Sequence, residues 1–274
     1  MSRVIVVGSI NQDVTVTVDR FPSPGETLSG TSLTYSLGGK GANQAAAAAH
    51  SGVPVFFVGA VGTDPSGQRL RADLASHGVD VTHLREVDGP SGTALITVAS
   101  SGENTIILDA GANATVTIKP AKASLFPAPA DVVVLQAEIP EAANAEALTW
   151  AHSFGARVLL NLAPARPTDA AFMARVDVLV VNETEAGLTL GMPAPASPTE
   201  AIGVARALRG LGPKHVMVTL GADGAAWASG SEAGHCPALT LGEAVADGIR
   251  AGSTAVLAPG AAPSYATLPR VTRA

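Results

Sequence analysis

The chain has 274 residues, of which 47% are hydrophobic and 15% charged, and its formal net charge at pH 7 is −6. This apolar content is enough for a large buried core and argues against a disordered protein. The acidic balance argues against a nucleic-acid partner, because binding to phosphates needs clustered Lys and Arg side chains.

Short β-branched runs alternate with alanine-rich helical segments along the chain. The predicted strands are residues 4–7, 55–58, 132–135, 158–160, 178–181 and 216–219. The predicted helices are residues 42–50, 66–76, 141–153, 183–190, 200–211 and 242–251. Continuous apolar strands separated by helices are typical of a mostly parallel sheet covered by helices on both faces. The predicted fold class is therefore α/β, in three layers, α/β/α.

Two parts of the chain depart from this alternation. Residues 14–18 alternate between apolar and polar, residues 31–37 are also extended, and residues 93–99 and 105–108 flank a turn typical of a hairpin. We interpret them as a small β-sheet lid within a single α/β domain at 1–274, inserted at about 12–37 and 91–108. The alternative is a plain extension of the main sheet's edge. The strand at 14–18 is expected to leave an edge unpaired, which favours pairing between two copies.

Neither a secretory signal nor a membrane span is predicted. The N-terminal apolar run is too short for a signal peptide, and no stretch reaches the roughly 20 apolar residues that cross a bilayer. The single cysteine, Cys236, excludes an internal disulfide and fits a reducing compartment. We therefore expect a cytoplasmic protein. The six histidines show no metal-ligand spacing.

A glycine-rich turn at residues 38–44 reads Gly-Gly-Lys-Gly-Ala-Asn-Gln and runs into an alanine-rich helix. Glycines let a backbone approach a ligand closely, and a helix start offers free N–H groups to oxygen atoms. Lys40 and Asn43 are three residues apart, so their side chains lie toward one side of the first turn. The turn predicts a site for a polyhydroxylated or anionic small molecule.

Eight motifs follow one another along the chain, at residues 8–13, 21–27, 38–44, 59–64, 111–114, 182–185, 219–221 and 259–264. In this order they resemble the ribokinase family of sugar kinases, of the PfkB-type superfamily, over nearly the whole chain. Asn-Gln-Asp at 11–13 and Asn-Leu-Ala-Pro-Ala at 161–165 favour the ribokinase branch. The resemblance implies a ribokinase-like fold and ATP-dependent phosphorylation of ribose or a similar sugar. It also implies Mg²⁺ and a monovalent cation such as K⁺ as cofactors, and a homodimer formed through the lid strands.

By this resemblance, the sugar pocket is lined by Asn11, Gln12, Asp13, Gly39, Lys40, Gly41, Ala42, Asn43 and Glu138. The chemistry agrees, because carboxylates accept hydrogen bonds from sugar hydroxyls whereas Asn and Lys donate them. Three of these residues keep a structural alternative. Asp13 could instead cap a turn, and Lys40 could be a solvated surface charge. Glu138 could be the N-terminal carboxylate of the helix that follows it.

The same resemblance assigns nucleotide contacts to Asn182, Thr219, Leu220, Gly221, Ala222, Asp223 and Gly224. Glu185, with Glu183 as a second candidate, would hold water around Mg²⁺, a cation that needs few protein carboxylates. The alternative is that Asn182 and Glu185 form a capping box, and both roles can hold together. The loop that supplies oxygens to a monovalent cation in this family is matched by Ala255, Ala258, Gly260 and Ser264.

The chain departs from the family pattern near its C-terminus. The family signature there is Asp-Thr-x-Gly-Ala-Gly-Asp, whose N–H groups bind the transferring phosphate and whose last Asp takes the proton from the sugar hydroxyl. No such run occurs in this sequence. The match to the family ends at 234–238 and resumes at 241–245, which leaves no room for a strand, a phosphate loop and a helix. Residues 247–253 mimic the spacing, but Ser253 stands where the catalytic Asp belongs.

The favoured interpretation is a ribokinase-like sugar kinase with no assigned catalytic base and with impaired turnover. The alternatives are a non-catalytic protein that binds sugar and nucleotide, and an internally shortened gene product. A nucleotide-dependent redox enzyme is disfavoured, because no Gly-x-Gly-x-x-Gly run follows the first strand.

Overall fold

The computed structural model describes residues 2–238 of the chain. Its strands are β1 (Val4–Val7), β2 (Asn11–Val18), β3 (Ser32–Gly38), β4 (Val55–Gly62), β5 (Asp80–Val87), β6 (Gly92–Ala99), β7 (Asn104–Asp109), β8 (Val132–Gln136), β9 (Arg157–Asn161), β10 (Val178–Asn182), β11 (His215–Thr219), β12 (Ala225–Ser229) and β13 (Glu232–Cys236). Its α-helices are α1 (Lys40–His50), α2 (Pro65–Ser76), α3 (Glu141–Ser153), α4 (Ala170–Met173), α5 (Glu183–Leu190) and α6 (Pro198–Arg209). Among these described residues, no helix is long and apolar enough to cross a membrane. The predicted helix at 242–251 lies outside the described residues.

A nine-stranded sheet forms the body of the molecule, in the order β13-β12-β11-β10-β9-β8-β1-β4-β5. The strands from β11 through β5 in this order pair in parallel, and β12 and β13 extend one edge through antiparallel pairs. All six strands predicted from apolar runs belong to this sheet, which confirms the mostly parallel architecture. The carboxyl ends of β1, β8, β9, β10 and β11 meet at one edge, where α/β proteins bind their ligands.

The central strands are buried on both faces, which explains their unbroken apolar sequences. Val6 and Phe57 pack with Leu70 of α2 on one face, whereas Ile5 packs with Leu148 of α3 on the other. Neighbouring residues of β1 thus face opposite helical layers. Each fully buried side chain of this kind stabilises the fold by about 1.5–3 kcal/mol. Helices α1 and α2 form one layer and α3, α5 and α6 form the other, so the three-layer prediction is confirmed.

A second sheet of four strands, here called the small sheet, has the order β3-β2-β6-β7. Strand β2 pairs antiparallel with β3 and parallel with β6, and β6 and β7 form the predicted hairpin. Because these strands make a separate sheet, the alternative of a plain edge extension is wrong. The predicted unpaired edge at residues 14–18 is also wrong, since β2 is an interior strand and the outer strands are β3 and β7.

Candidate functional site

A cavity of about 370 Å³ lies where the carboxyl end of β8 meets the small sheet. Asn11, the first residue of β2, and Glu138, just after β8, both line it. Leu108 at the end of β7 and Asn113 in the turn that follows add to its wall. The fold thus brings together two of the predicted sugar-binding residues from distant parts of the sequence, around a space suited to a small molecule.

The glycine-rich turn packs against the connection between β1 and β2. Gly39 has a φ of 88°, and a Cβ atom there would lie 2.9 Å from the backbone nitrogen of Asn11. A Cβ atom on Gly41 would lie 2.7 Å from the backbone nitrogen of Ser9. Both positions therefore require glycine so that two segments of the chain can approach each other, and not only for approach to a ligand.

The first turn of α1 uses its N–H groups within the protein. The N–H of Lys40 donates to Oε2 of Glu138 at 3.0 Å. The N–H groups of Gly41 and Ala42 donate to Oγ and the carbonyl oxygen of Ser9, at 3.2 and 2.9 Å. The expectation of free N–H donors at this helix start is wrong, since each donor has a partner. Ligand contacts of Lys40 and Asn43 must therefore come from their side chains.

Glu138 holds the start of α1 in place. Its Oε2 also accepts a hydrogen bond from Oγ of Ser9 at 2.6 Å. The carboxylate therefore serves the N-terminus of α1, where the helix dipole favours an anion, and not that of α3, which follows it in sequence. Oε1 of Glu138 has no hydrogen-bond partner among residues 2–238, so it can accept from a ligand. Ser9 is fully buried and was not singled out from the sequence, where its place in the first motif was the only signal.

Asp13 lies against Gly38, on the same side of β2 as Asn11. A Cβ atom on Gly38 would lie only 2.0 Å from Oδ1 of Asp13, so glycine makes room for the carboxylate. Burial, with a further contribution from the negative charge of Glu138, raises the pKa of Asp13 to about 6. Within the described residues no donor reaches the Asp13 carboxylate, so it caps no turn. A half-buried carboxylate without a donor is destabilised, and a ligand that supplies a donor stabilises it.

Lys40 and Asn43 keep hydrogen-bonding capacity that a ligand can use. The half-buried Lys40 ammonium makes no ion pair in the described part of the chain. Oδ1 of Asn43 is buried and lacks a hydrogen-bond partner. The neighbouring Gln44 donates from Nε2 to Oδ1 of Asn161 at 3.3 Å, which ties α1 to the end of β9.

Gln12 faces away from Asn11 and Asp13, because successive side chains of a strand point to opposite faces. Its Oε1 accepts a hydrogen bond from the guanidinium of Arg69 in α2. The same guanidinium lies 5.7 Å from the ring centre of Tyr35. The side chain of Gln12 therefore joins the small sheet to α2 and is directed away from the cavity.

The predicted nucleotide residues gather at the ends of β10 and β11. Asn182 and Thr219 are register partners there. Oδ1 of Asn182 accepts from the N–H of Glu185 at 2.8 Å, and Oε2 of Glu185 accepts from the N–H of Asn182 at 2.9 Å. This reciprocal pair confirms the predicted capping box at the start of α5.

The turn after β11 presents small residues to solvent. Gly221, Ala222 and Asp223 are exposed, whereas the side chain of Leu220 is buried in the core. Gly224 has a φ of 92°, and a Cβ atom there would lie 2.1 Å from the carbonyl oxygen of Cys236. Any contact of Leu220 or Gly224 with a nucleotide is therefore limited to backbone atoms.

No group of three or more His, Cys, Asp or Glu side chains in residues 2–238 could hold a metal ion. Oε1 of Glu185 has no partner in this range, and Glu183 is half-buried beside it at the start of α5. This arrangement fits a Mg²⁺ ion held through water and phosphate oxygens, because Mg²⁺ keeps most of its water. The predicted contacts to a monovalent cation lie outside the described residues; they are Ala255, Ala258, Gly260 and Ser264. The departure from the family signature, at 239–253, lies there as well.

The sequence matches known proteins over most of its length. The family model described as pfkB family carbohydrate kinase matches residues 1–264. The ribokinase of Haemophilus influenzae is 37% identical over 223 residues, which cover 80% of this chain and 72% of that protein. The ribokinase of Bacillus subtilis is 37% identical over 234 residues, which cover 85% of this chain and 76% of that protein.

Solved structures share the fold. A ribokinase from Thermotoga maritima superimposes with a TM-score of 0.78 at 27% identity, covering 96% of each chain. Arabidopsis thaliana ribokinase complexed with ribose and ATP superimposes with a TM-score of 0.76 at 28% identity, covering 97% of this chain and 89% of that one. The ribokinase-like fold expected from the sequence is confirmed.

Proposed function

This chain belongs to the pfkB family of carbohydrate kinases, and we propose that it binds a ribose-like sugar beneath the small sheet and ATP at the ends of β10 and β11. Sequence and fold make it a ribokinase-like sugar kinase. The observation that carries the sugar site is the carboxylate of Asp13, which is half-buried, feels the charge of Glu138 and has no donor within the described residues.

A neutral, polyhydroxylated ligand suits this pocket better than an anion does. Asp13 and Oε1 of Glu138 accept hydrogen bonds from hydroxyls, and their two negative charges repel a sugar phosphate. Lys40 and Nδ2 of Asn11 can donate to the ligand, and the unpartnered Oδ1 of Asn43 can accept from it. A hydroxyl can serve as either partner. The small sheet serves as the lid that keeps water from the bound sugar.

The proposed nucleotide site lies two strands away along the same sheet edge. In the sheet order, β9 separates the sugar side at β1 and β8 from the nucleotide side at β10 and β11. The terminal phosphate of ATP would approach the sugar over the end of β9, at Asn161. Glu185, with Glu183 beside it, would hold water on Mg²⁺, which neutralises phosphate charge when it is bound. The proposal of a K⁺ site rests on the resemblance of the loop at 255–264 alone.

The proposal assigns no catalytic base. The Gly-Ala-Gly-Asp run that would supply one is missing from the sequence, so we infer that ligand binding is retained and turnover is strongly reduced. A cytoplasmic location stays a prediction, which the single free cysteine, Cys236, supports.

Lys40→Ala should weaken ribose binding by about 10- to 100-fold, because a hydrogen bond from a charged donor to the sugar is lost. Isothermal titration calorimetry with ribose measures the change. Lys122→Ala is the matched control, since Lys122 is an exposed lysine that pairs with Glu146 at 3.2 Å on the outer layer. Equal affinities of the two variants, or no heat from the unsubstituted protein, would contradict the proposed sugar site.

We also propose that two copies pair through one face of the small sheet. Leu33 and Tyr35 of β3, Leu95 of β6 and Ile107 of β7 are 56%, 56%, 53% and 69% exposed. The register places Tyr35, Val14, Leu95 and Ile107 in one row across the sheet, so these side chains share a face. A row of large apolar side chains left in water is typical of an interaction surface.

Ile107→Asp should convert a dimer into a monomer, because it places a charge in this apolar row at its most exposed side chain. Sedimentation velocity at micromolar concentration measures the change. Leu188→Asp on α5 is the control, since Leu188 is almost equally exposed, at 67%, but lies on the body of the molecule. A monomeric unsubstituted protein, or dissociation by the control alone, would rule out this face as the interface.

A further inference from the structure

Asn113 is a buried amide to which the proposed function gives no role. It lies in the 3-10 turn at Gly111–Thr115 and is only 1% exposed. Its motif at 111–114 stood out in the sequence without a chemical explanation. In the structure the Asn113 side chain hydrogen-bonds to Ile10 and to Asn11, the first residue of β2 in the small sheet.

The orientation of the Asn113 amide is fixed by the backbone of Ile10. Oδ1 of Asn113 accepts from the N–H of Ile10 at 2.9 Å, and Nδ2 donates to the carbonyl oxygen of Ile10 at 3.1 Å. A backbone N–H can only donate and a backbone carbonyl can only accept. The reversed orientation would break both hydrogen bonds, so the oxygen and nitrogen of this side chain are assigned by chemistry.

Asn113 in turn fixes the amide of Asn11. Nδ2 of Asn113 donates its second hydrogen to Oδ1 of Asn11 at 2.7 Å. Asn11 must therefore offer its oxygen to Asn113, which leaves its own Nδ2 for the cavity that Asn11 lines. In the described part of the chain, Nδ2 of Asn11 meets no acceptor.

Gly92, the first residue of β6, closes over this pair of amides. A Cβ atom on Gly92 would lie 2.1 Å from Nδ2 of Asn113 and 2.4 Å from Oδ1 of Asn11. Asn11 itself is only 4% exposed. Water therefore has little access to the hydrogen bond between Nδ2 of Asn113 and Oδ1 of Asn11 and cannot readily replace it.

We propose that Asn113 is a positioning residue for substrate recognition, one that holds the Asn11 amide with its N–H donors toward the sugar. The inference rests on the proposed sugar site. It assigns opposite demands to two neighbouring positions, because Asn11 requires an acceptor oxygen on the ligand and ionised Asp13 requires a donor. A sugar that lacks the hydroxyl facing Asn11 loses this hydrogen bond, so the pair contributes to the choice of substrate.

A double-mutant cycle tests the proposal. Asn113→Asp keeps the side-chain volume but places a second acceptor against the carbonyl of Ile10 and Oδ1 of Asn11, which drives the Asn11 amide to reverse. Asn113→Asp and Asn11→Ala should each weaken ribose binding by about 10- to 100-fold. The double variant should bind no more weakly than the weaker single variant, because both changes remove the same donor. Effects that multiply would show that Asn113 acts only on the fold, and would overturn the proposal.

Asn144→Asp is the matched control for burial. Asn144 in α3 is also 1% exposed, and its Nδ2 donates to the carbonyl oxygen of Gln136 at 2.6 Å. It makes no hydrogen bond to Asn11 or Asn113. It should lower the midpoint of thermal unfolding, and its effect on ribose affinity should multiply with that of Asn11→Ala. If Asn144→Asp couples to Asn11→Ala as strongly as Asn113→Asp does, Asn113 has no specific role in positioning Asn11.

A measurement without ligand separates this inference from the proposed function. In the unsubstituted protein labelled with ¹⁵N-asparagine, the Asn113 side-chain NH₂ should exchange slowly with water and that of Asn11 faster. If ribose fails to bind but this exchange pattern holds, the sugar proposal falls and the orientation of the pair stands. A slowly exchanging Asn11 NH₂ beside a rapidly exchanging Asn113 NH₂ would overturn the inference, even where Asn113→Asp fails to fold.

Discussion

With saturating ribose and ATP, the protein should release ADP at least about 10⁴-fold more slowly than the Haemophilus influenzae ribokinase assayed in parallel. Loss of a general base costs about 10²–10⁴-fold, and loss of each N–H donor to the transferring group costs about 10²–10³-fold. The sequence lacks the family run that supplies both. A coupled ADP-release assay measures the difference, with the ribokinase relative as the positive control.

We expect the proposed impairment to be confined to turnover. Phosphoryl transfer depends mainly on positioning and electrostatics, and the residues proposed to position sugar and nucleotide are present at one sheet edge. Insertion of the family segment from an active relative between 238 and 243 should therefore raise turnover. The same insertion with its last Asp replaced by Asn is the matched control and should restore little. Turnover of the original chain at about 1–100 s⁻¹, the range of ordinary kinases, would refute the predicted impairment.

Asp13→Asn should stabilise the fold and weaken sugar binding at the same time. The pKa of Asp13 is raised from 3.8 to about 6 in the folded protein, so ionising Asp13 destabilises the fold as pH rises above its unfolded pKa. At pH 8 the full difference, about 3 kcal/mol, opposes folding. Replacing the carboxylate by a neutral amide should therefore raise the thermal midpoint by roughly 6–12 °C at pH 8. The gain should vanish near pH 4, where Asp13 is protonated in the folded state.

Ribose affinity should move in the opposite direction. Asp13→Asn removes a charged acceptor and should cost about 10- to 100-fold in binding. The unsubstituted protein should lose affinity as the pH falls through about 6, whereas the variant should not. Asp88→Asn is the control, since Asp88 is exposed and lies just beyond β5. Calorimetry and thermal unfolding across pH 4–8 measure both effects. A less stable Asp13→Asn variant at pH 8 would show that burial of Asp13 is not a source of strain in this pocket.

The main sheet was predictable because its strands are buried on both faces, so their apolar runs are unbroken. Strand β5 escaped prediction because charged residues interrupt Asp80–Val87, and β12 because small residues surround its one large side chain, Trp227, in Ala225–Ser229. The order of strands in the small sheet was not predictable, since β2 and β6 pair in parallel across a long stretch of sequence. That pairing is what places β2 in the interior.

The candidate site was predictable where motifs carry its residues, as at Asn11, Lys40 and Glu138. The use of the α1 N–H groups by Ser9 and Glu138 was not, because it depends on which distant chain segments meet at the turn. The contact of Asn113 with Asn11 was hidden for the same reason. A buried amide in a short turn has no local pattern that names its partner.

The way in which the small sheet is attached has a mechanical consequence. Asn11 begins β2, Gly38 ends β3 and Gly92 begins β6, and the register places all three in a single row. If the small sheet rotates about this row, its far end, near Ser32 and Ala99, moves the farthest. Asn11 would stay close to the pivot throughout. A sugar could then enter and leave without breaking the hydrogen bond between Asn113 and Asn11, which lies close to the axis of rotation.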